Sequence, residues 1–167
     1  MTSGGKPSTH ALVRRFGVFF ATCGYVGYAP VAPGTFGSAA GLAVFLAVRA
    51  SESIAVELGV IAALFALGVW SASIAEQHFG GVDPGPVVMD EVVGMLITLA
   101  LLDVTITGAV VGFFIFRILD IVKPWPSADF ERLHGGLGVM ADDAMAAIYG
   151  NLLMRALIWL APAGWLA

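Results

Sequence analysis

The chain has 167 residues, of which 59% are hydrophobic and only 12% charged, with a net charge of −4 and a mean hydropathy of +0.91. A usual charged share is roughly 25%, so this is a membrane protein's composition in a chain of single-domain length. Eight Lys and Arg residues against twelve acids exclude a basic nucleic-acid-binding stripe, and the lone cysteine, Cys23, excludes an internal disulfide framework and a paired-cysteine metal knuckle.

In chain order, residues 1–12 are polar and Gly/Pro-containing and read as a flexible tail, with a single helical membrane domain over 13–167. Arg14 and Arg15 precede an apolar run, but no small-residue cleavage site ends it, so the segment is expected to be retained. Phe16 to Val48 carries no charge, yet Gly24, Gly27, Pro30, Pro33 and Gly34 break it. This pattern predicts a short helix, a loop over 24–35, and a helix from about Phe36 to Arg49. Thr35 or Ser38 then stands where a helix N-cap belongs, with free backbone N–H groups that suit an anion.

Leu58 to Ala75 is uncharged, about 27 Å of helix at 1.5 Å per residue, and reads as a spanning segment. Asp83-Pro-Gly-Pro then predicts a turn feeding a helix that starts near Asp90 and Glu91. Asp103-Val-Thr-Ile-Thr reads as a reversal between two antiparallel helices. Arg117 and Asp120, three residues apart, share a helix face, and Pro124 ends that helix just after Lys123. A last helix is expected from near Asp142 to about Leu160. Gly37/Gly41 and Gly108/Gly112 have the small-xxx-small spacing of close helix contacts and leave room for a homodimer.

With the N-terminus cytoplasmic, Lys6, Arg14, Arg15, Arg117, Lys123 and Arg132 fall on the inner side and Arg49 on the outer, obeying the positive-inside rule. The same orientation gathers the 24–38 loop, Asp83 to Glu91, Arg117 to Lys123 and Gly135 to Asp143 at one interface. The expected fold is therefore all-α: a compact membrane-embedded helical bundle with active-site loops and helix ends on the cytoplasmic face.

Asp90, Glu91, Asp120, Asp142 and Asp143 repel one another unless a cation lies between them, and hard oxygen donors suit Mg²⁺. No phosphate-binding GxxxxGK[ST] loop, HExxH zinc motif, cysteine phosphatase loop or Asp-x-Asp phosphatase pair is present. Metal-assisted attack of water remains. Intramembrane acids could instead line an ion path, but these cluster at helix ends rather than mid-helix. A non-catalytic partner in a lipid-synthesis complex is the other alternative.

Pro33-Gly-Thr-Phe-Gly37, Asp83-Pro-Gly-Pro-Val-Val-Met-Asp-Glu91 with Gly94, Arg117-Ile-Leu-Asp-Ile-Val-Lys-Pro-Trp-Pro126, and Gly135-Gly-Leu-Gly-Val-Met-Ala-Asp-Asp143 with Tyr149 resemble, in order and spacing, the phosphatidylglycerophosphatase A family. The resemblance spans roughly residues 16 to 155. It implies a magnesium-dependent phosphatase of the bacterial inner membrane that converts phosphatidylglycerol phosphate to phosphatidylglycerol; a phosphatase for another lipid or isoprenoid phosphate is the nearest rival. On this reading Asp90, Glu91, Asp120, Asp142 and Asp143 hold Mg²⁺, with Asp143 the candidate general base. Arg117 and Lys123 neutralise phosphate oxygens, and the Thr35/Ser38 helix end donates to the phosphate. Trp125 between two prolines reads as an interfacial anchor.

Overall fold

A computed structural model describes residues 8–125, 130, 133 and 135–167. Among these are six α-helices, α1 (Thr9–Ala21), α2 (Pro33–Arg49), α3 (Ile54–Phe79), α4 (Met89–Leu99), α5 (Ile106–Val122) and α6 (Gly136–Leu160), with a single 3-10 turn at Val26–Tyr28 and no strand. Residues 1–7, Lys6 among them, lie outside the described set, as do 126–129, 131, 132 and 134, which include Arg132.

Short polar side chains start three of the helices. Ser8 Oγ accepts from Ala11 N at 3.3 Å, Ser53 Oγ from Val56 N at 3.4 Å and Thr105 Oγ1 from Gly108 N at 3.1 Å, each satisfying an orphan donor of a first turn. Ser8 thus begins α1 inside the stretch expected to be a tail. Helix α2 departs from expectation more sharply: it begins at Pro33, its N-cap is Ala32 in the left-handed region, and no side chain caps it. Neither Thr35 nor Ser38 is the cap. Proline at the first helical position has no N–H to leave unsatisfied and a φ already suited to helix, so Pro33 starts the helix instead of ending a loop.

Helix α4 is the hub. It packs against α2, α3, α5 and α6, and nine of its eleven residues are buried. Val92, Val93, Met95, Leu96 and Leu99 are all at most 2% exposed, each contributing about 1.5–3 kcal/mol of apolar burial. Gly37 and Gly41 let α2 approach this helix: a Cβ at Gly37 would lie 2.8 Å from Val88 Cβ, and one at Gly41 2.6 Å from the Val92 carbonyl. Gly112 meets Leu99 in the same way. These small-residue faces are occupied by contacts within the chain.

The far end of the bundle is tied by polar contacts. Asn151 Nδ2 on α6 donates to the carbonyls of Ile97, Thr98 and Ala100, covering the open C-terminus of α4. Arg155 Nε donates to Asn151 Oδ1 at 2.9 Å. Arg49 pairs with Asp103 and donates to the Val104 carbonyl, pinning the α4–α5 reversal that Asp103 predicted. At the other end Val88 N donates to the Ala21 carbonyl, and Gly136 N to Ser73 Oγ, both at 2.9 Å. The start of α2, the start of α4, the end of α5 and the first half of α6 therefore meet at one end.

Helix α3 passes for a membrane span by length and composition, with a mean hydropathy of 2.1 in its most apolar window, of which only 22% is buried.

Candidate active site

Three elements bring the acids together. Asp90 and Glu91 lie in the first turn of α4, where the helix dipole favours negative charge. Asp120 comes from the last turn of α5. Asp142 and Asp143 lie on α6, which starts at Gly136 rather than near Asp142, so this pair sits in the second turn and not at a helix end. Gly136 and Gly138 read as loop residues in the sequence, but they are helical contacts: a Cβ on the first would collide with the Val69 carbonyl of α3, and one on the second with the Leu133 carbonyl. Asp90, Asp120, Asp142 and Asp143 are all at most 9% exposed.

Five carboxylates face two cations. Arg117 Nη1 lies 2.7 Å from Asp120 Oδ2, 3.8 Å from Glu91 Oε1 and 3.4 Å from Ser38 Oγ, which itself donates to the Gly34 carbonyl. Ser38 is therefore at the site, oriented by α2 and set against Arg117. Gly34 makes this possible, since a Cβ there would collide with Glu91 Oε1 and touch both terminal nitrogens of Arg117. Thr35, in contrast, is exposed on the first turn of α2, and its amide is committed to the Ala32 carbonyl.

Lys123 terminates α5 in the left-handed region, as the residue before Pro124. Its Nζ lies 2.7 Å from Asp142 Oδ2, while the Asp142 Oδ1 accepts from the Asp143 amide at 2.9 Å. Tyr149, one face along α6, donates its hydroxyl to the Trp125 carbonyl at 3.2 Å and so fixes the chain that follows Lys123. Trp125 is 80% exposed.

Among the described residues, four polar atoms at this end are buried without a partner: Asp90 Oδ1, Glu91 Oε2, Asp143 Oδ2 and Arg117 Nε. Asp90, Glu91 and Asp143 each present an oxygen, and the three lie within 4.8 Å of one another. Buried polar atoms are normally paired, so three converging carboxylates that each keep an unpartnered buried oxygen mark a position for a positive charge. All-oxygen donors at that spacing fit a hard divalent cation. Glu76 Oε1, at the end of α3, is a fifth buried, unpartnered atom. Glu76 is the first charge after the uncharged run Leu58 to Ala75, the one signal of its position in the sequence.

These groups lie outside the apolar span of α3, and their surroundings resist ionisation. Burial, then the Glu91 charge and a hydrogen bond with Glu91, push the Asp90 carboxyl well above its ordinary value, with Asp83 and Asp142 adding to it. Burial and the charges of Asp90 and Asp120 do the same to Asp143. Burial raises Glu91 to about 7, with the hydrogen bond to Asp90 and the Arg117 charge opposing. A folded-state value above the unfolded one means that the folded state binds more protons. The resulting stability is complete below the unfolded values of roughly 4 and is lost as pH rises through about 7 for Glu91. Thermal unfolding in chelator is accordingly expected at higher temperature at mildly acidic than at mildly alkaline pH. Added Mg²⁺ should remove that difference by raising the alkaline value; a pH-independent melting temperature in chelator would contradict the arrangement.

Comparison with known proteins gives the family. The sequence profile of phosphatidylglycerophosphatase A matches residues 19–158. Phosphatidylglycerophosphatase A of Escherichia coli K12 is 40% identical over 128 residues, covering 73% of this chain and 72% of its own. Its Haemophilus influenzae counterpart is 35% identical, covering 75% and 78%. A Bacteroides thetaiotaomicron protein named putative phosphatidylinositol-3-phosphatase is 36% identical over 140 residues, covering 80% and 87%. No solved structure is a significant match. A profile match across most of the chain, including every segment that contributes a carboxylate, makes this protein a member of the phosphatidylglycerophosphatase A family and a phosphoric monoester hydrolase.

Proposed function

We propose that the protein is a Mg²⁺-dependent phosphatase that hydrolyses phosphatidylglycerol phosphate to phosphatidylglycerol and inorganic phosphate at the membrane. The observation that carries this reading is the convergence of three carboxylates, on Asp90, Glu91 and Asp143, each offering an oxygen within 4.8 Å of the others and each keeping one buried oxygen without a partner. These residues would hold the ion, which when bound supplies positive charge to the phosphate and acidifies water.

The chain's own groups do the rest. Arg117, fixed by Asp120 and Ser38, and Lys123, fixed by Asp142, present two positive charges whose directions are set before substrate arrives. They neutralise the phosphate oxygens as charge builds there. Asp120 and Asp143 share a hydrogen bond, and this pair accepts the proton of the attacking water. As the phosphorus–oxygen bond to the lipid breaks, the proton is returned to the departing lipid oxygen, giving a neutral hydroxyl. The first turn of α2, brought against Glu91 and Arg117 by Gly34, is the remaining donor surface for the phosphate or the diester, with Thr35 at its rim.

The membrane reading rests on α3, whose apolar surface is mostly uncovered, and on the outer face of α5, where Ile106, Val110, Phe114, Ile118 and Ile121 are all exposed. A soluble protein would bury such surfaces. Arg14, Arg15, Arg117 and Lys123 belong to the catalytic end and Arg49 to the other. That distribution supports insertion in the bacterial inner membrane with the active site toward the cytoplasm.

The 36% identity to the protein named as a phosphatidylinositol-3-phosphatase favours a second reading, with an inositol lipid phosphate as substrate. Phosphate release by detergent-purified protein from each lipid, with Mg²⁺ and with chelator, separates the two. Faster Mg²⁺-dependent release from phosphatidylglycerol phosphate is expected. Preference for phosphatidylinositol 3-phosphate would replace the substrate and keep the chemistry, and release that survives chelator would remove the metal.

A further inference from the structure

Helix α1 has no part in the carboxylate cluster, yet it carries two adjacent guanidinium groups. Arg14 and Arg15 are exposed, and neither has an ion-pair or hydrogen-bond partner among the described residues. Two clefts meet at Arg15. One, of about 340 Å³, is formed by Leu12, Arg15, Phe16, Phe19 and Tyr25. The other, of about 140 Å³, is lined by Arg14, Arg15, Val18, Tyr25 and His78. Among the described residues no acid lines either, in a chain with twelve, and neither shares a described residue with the catalytic cluster.

The apolar wall follows from helical spacing: Leu12, Phe16 and Phe19 fall on one face, while Gly17 and Ala21 on the opposite face are buried and α1 packs against α3. Tyr25 is brought to that wall by an unusual turn in which Cys23, Gly24 and Tyr25 all have positive φ, two of them non-glycine residues that the turn must force into that region. The Tyr25 ring then meets the Phe19 ring edge-on at 5.4 Å. Contacts continue from Tyr25 to Tyr28, from Tyr28 to Phe79, and from Phe79 to His78 at the end of the apolar helix α3. Exposed Phe19, Tyr25 and Tyr28 beside the half-buried Phe79 at the end of a membrane span mark headgroup depth.

We propose that this face of α1 binds an anionic phospholipid of the surrounding leaflet, separately from the catalytic site. The headgroup phosphate lies between Arg14 and Arg15, and the upper part of an acyl chain lies along Leu12, Phe16, Phe19 and Tyr25. Cations in clefts that no described acid lines select negative charge over a zwitterion, and the aromatic wall selects a lipid over free phosphate.

The test is lipid binding to the full chain in neutral detergent, counted by native mass spectrometry, with phosphatidylglycerol and phosphatidylcholine as probes. Arg14→Gln/Arg15→Gln should weaken phosphatidylglycerol binding about 30-fold, at roughly five- to sixfold per lost cation near the surface. Phosphatidylcholine binding should not change, and Arg14→Lys/Arg15→Lys should restore most of the phosphatidylglycerol binding. Undiminished phosphatidylglycerol binding in the Gln variant, or an equal loss for both lipids, overturns the proposal. Should the double variant lose its helical circular dichroism, Arg15→Gln alone decides by the same criteria, because Arg15 lines both clefts. The readout is the change made by residues outside the catalytic cluster, so phosphatidylglycerol held there as product adds the same background to every variant and does not decide the outcome.

Discussion

Asp143→Asn should lower phosphate release by about 10²–10⁴-fold while making the metal-free protein more resistant to heat. The two effects have one cause. Asp143 is 3% exposed, its Oδ2 has no donor, and it shares its surroundings with Asp90, Glu91 and Asp120. As a carboxylate it is a proton acceptor and a cation ligand; without a cation it adds like charge to a site already crowded with it. An amide of the same shape removes that repulsion and loses the chemistry. Side-by-side assays of phosphate release and of thermal unfolding in chelator check both parts. The stabilisation is the more discriminating, because a carboxylate of purely structural value would cost stability when neutralised. A lower melting temperature together with retained activity would refute the assignment.

Arg117→Lys should be costly although the charge is kept. Arg117 reaches Asp120, Glu91 and Ser38 at once, and it is enclosed on the far side by Gly34. A single ammonium cannot satisfy three partners in those directions, and a lysine at a forked site is not a conservative change. Arg117→Ala is the stronger form: it leaves Asp120 and Glu91 buried without their cation, a loss of about 3–5 kcal/mol for a broken buried pair. Denaturant unfolding is expected to show that loss for Ala. Lys should show a smaller one, with activity reduced at least tenfold in both. Wild-type turnover by Arg117→Lys would mean that the guanidinium only balances charge.

Much of this arrangement is legible in the sequence. The uncharged run after Glu57 reads as a long helix, and Asp103 with the residues after it as a reversal between two apolar helices. The i, i+3 spacing of Arg117 and Asp120 put them on one face, where they form an ion pair. Acids that alternate between ends of successive antiparallel helices must collect at one end, and the five do. Local pattern misleads at glycine and proline. Pro33 and Gly34 read as loop residues, which puts the start of α2 later than Pro33, where the helix begins; Gly135 to Gly138 do the same for α6, which begins at Gly136. In isolation these residues break helices, because proline lacks a donor and glycine loses the most backbone entropy.

The sequence by itself determined the helical class, the antiparallel order and the end at which the charged groups gather, because hydrophobic periodicity and charge spacing act within a helix or between neighbours in the chain. Only the tertiary structure decided whether a given glycine is a break or a point of contact. Gly34 is where Glu91 and Arg117 approach α2, and Gly136 is where α6 rests on α3. It alone also decided which carboxylates are left without donors: pairing depends on distances between α4, α5 and α6 that no local pattern encodes. Arg117 takes Asp120 and Lys123 takes Asp142, while inward oxygens on Asp90, Glu91 and Asp143 stay unpaired, and that remainder defines the site.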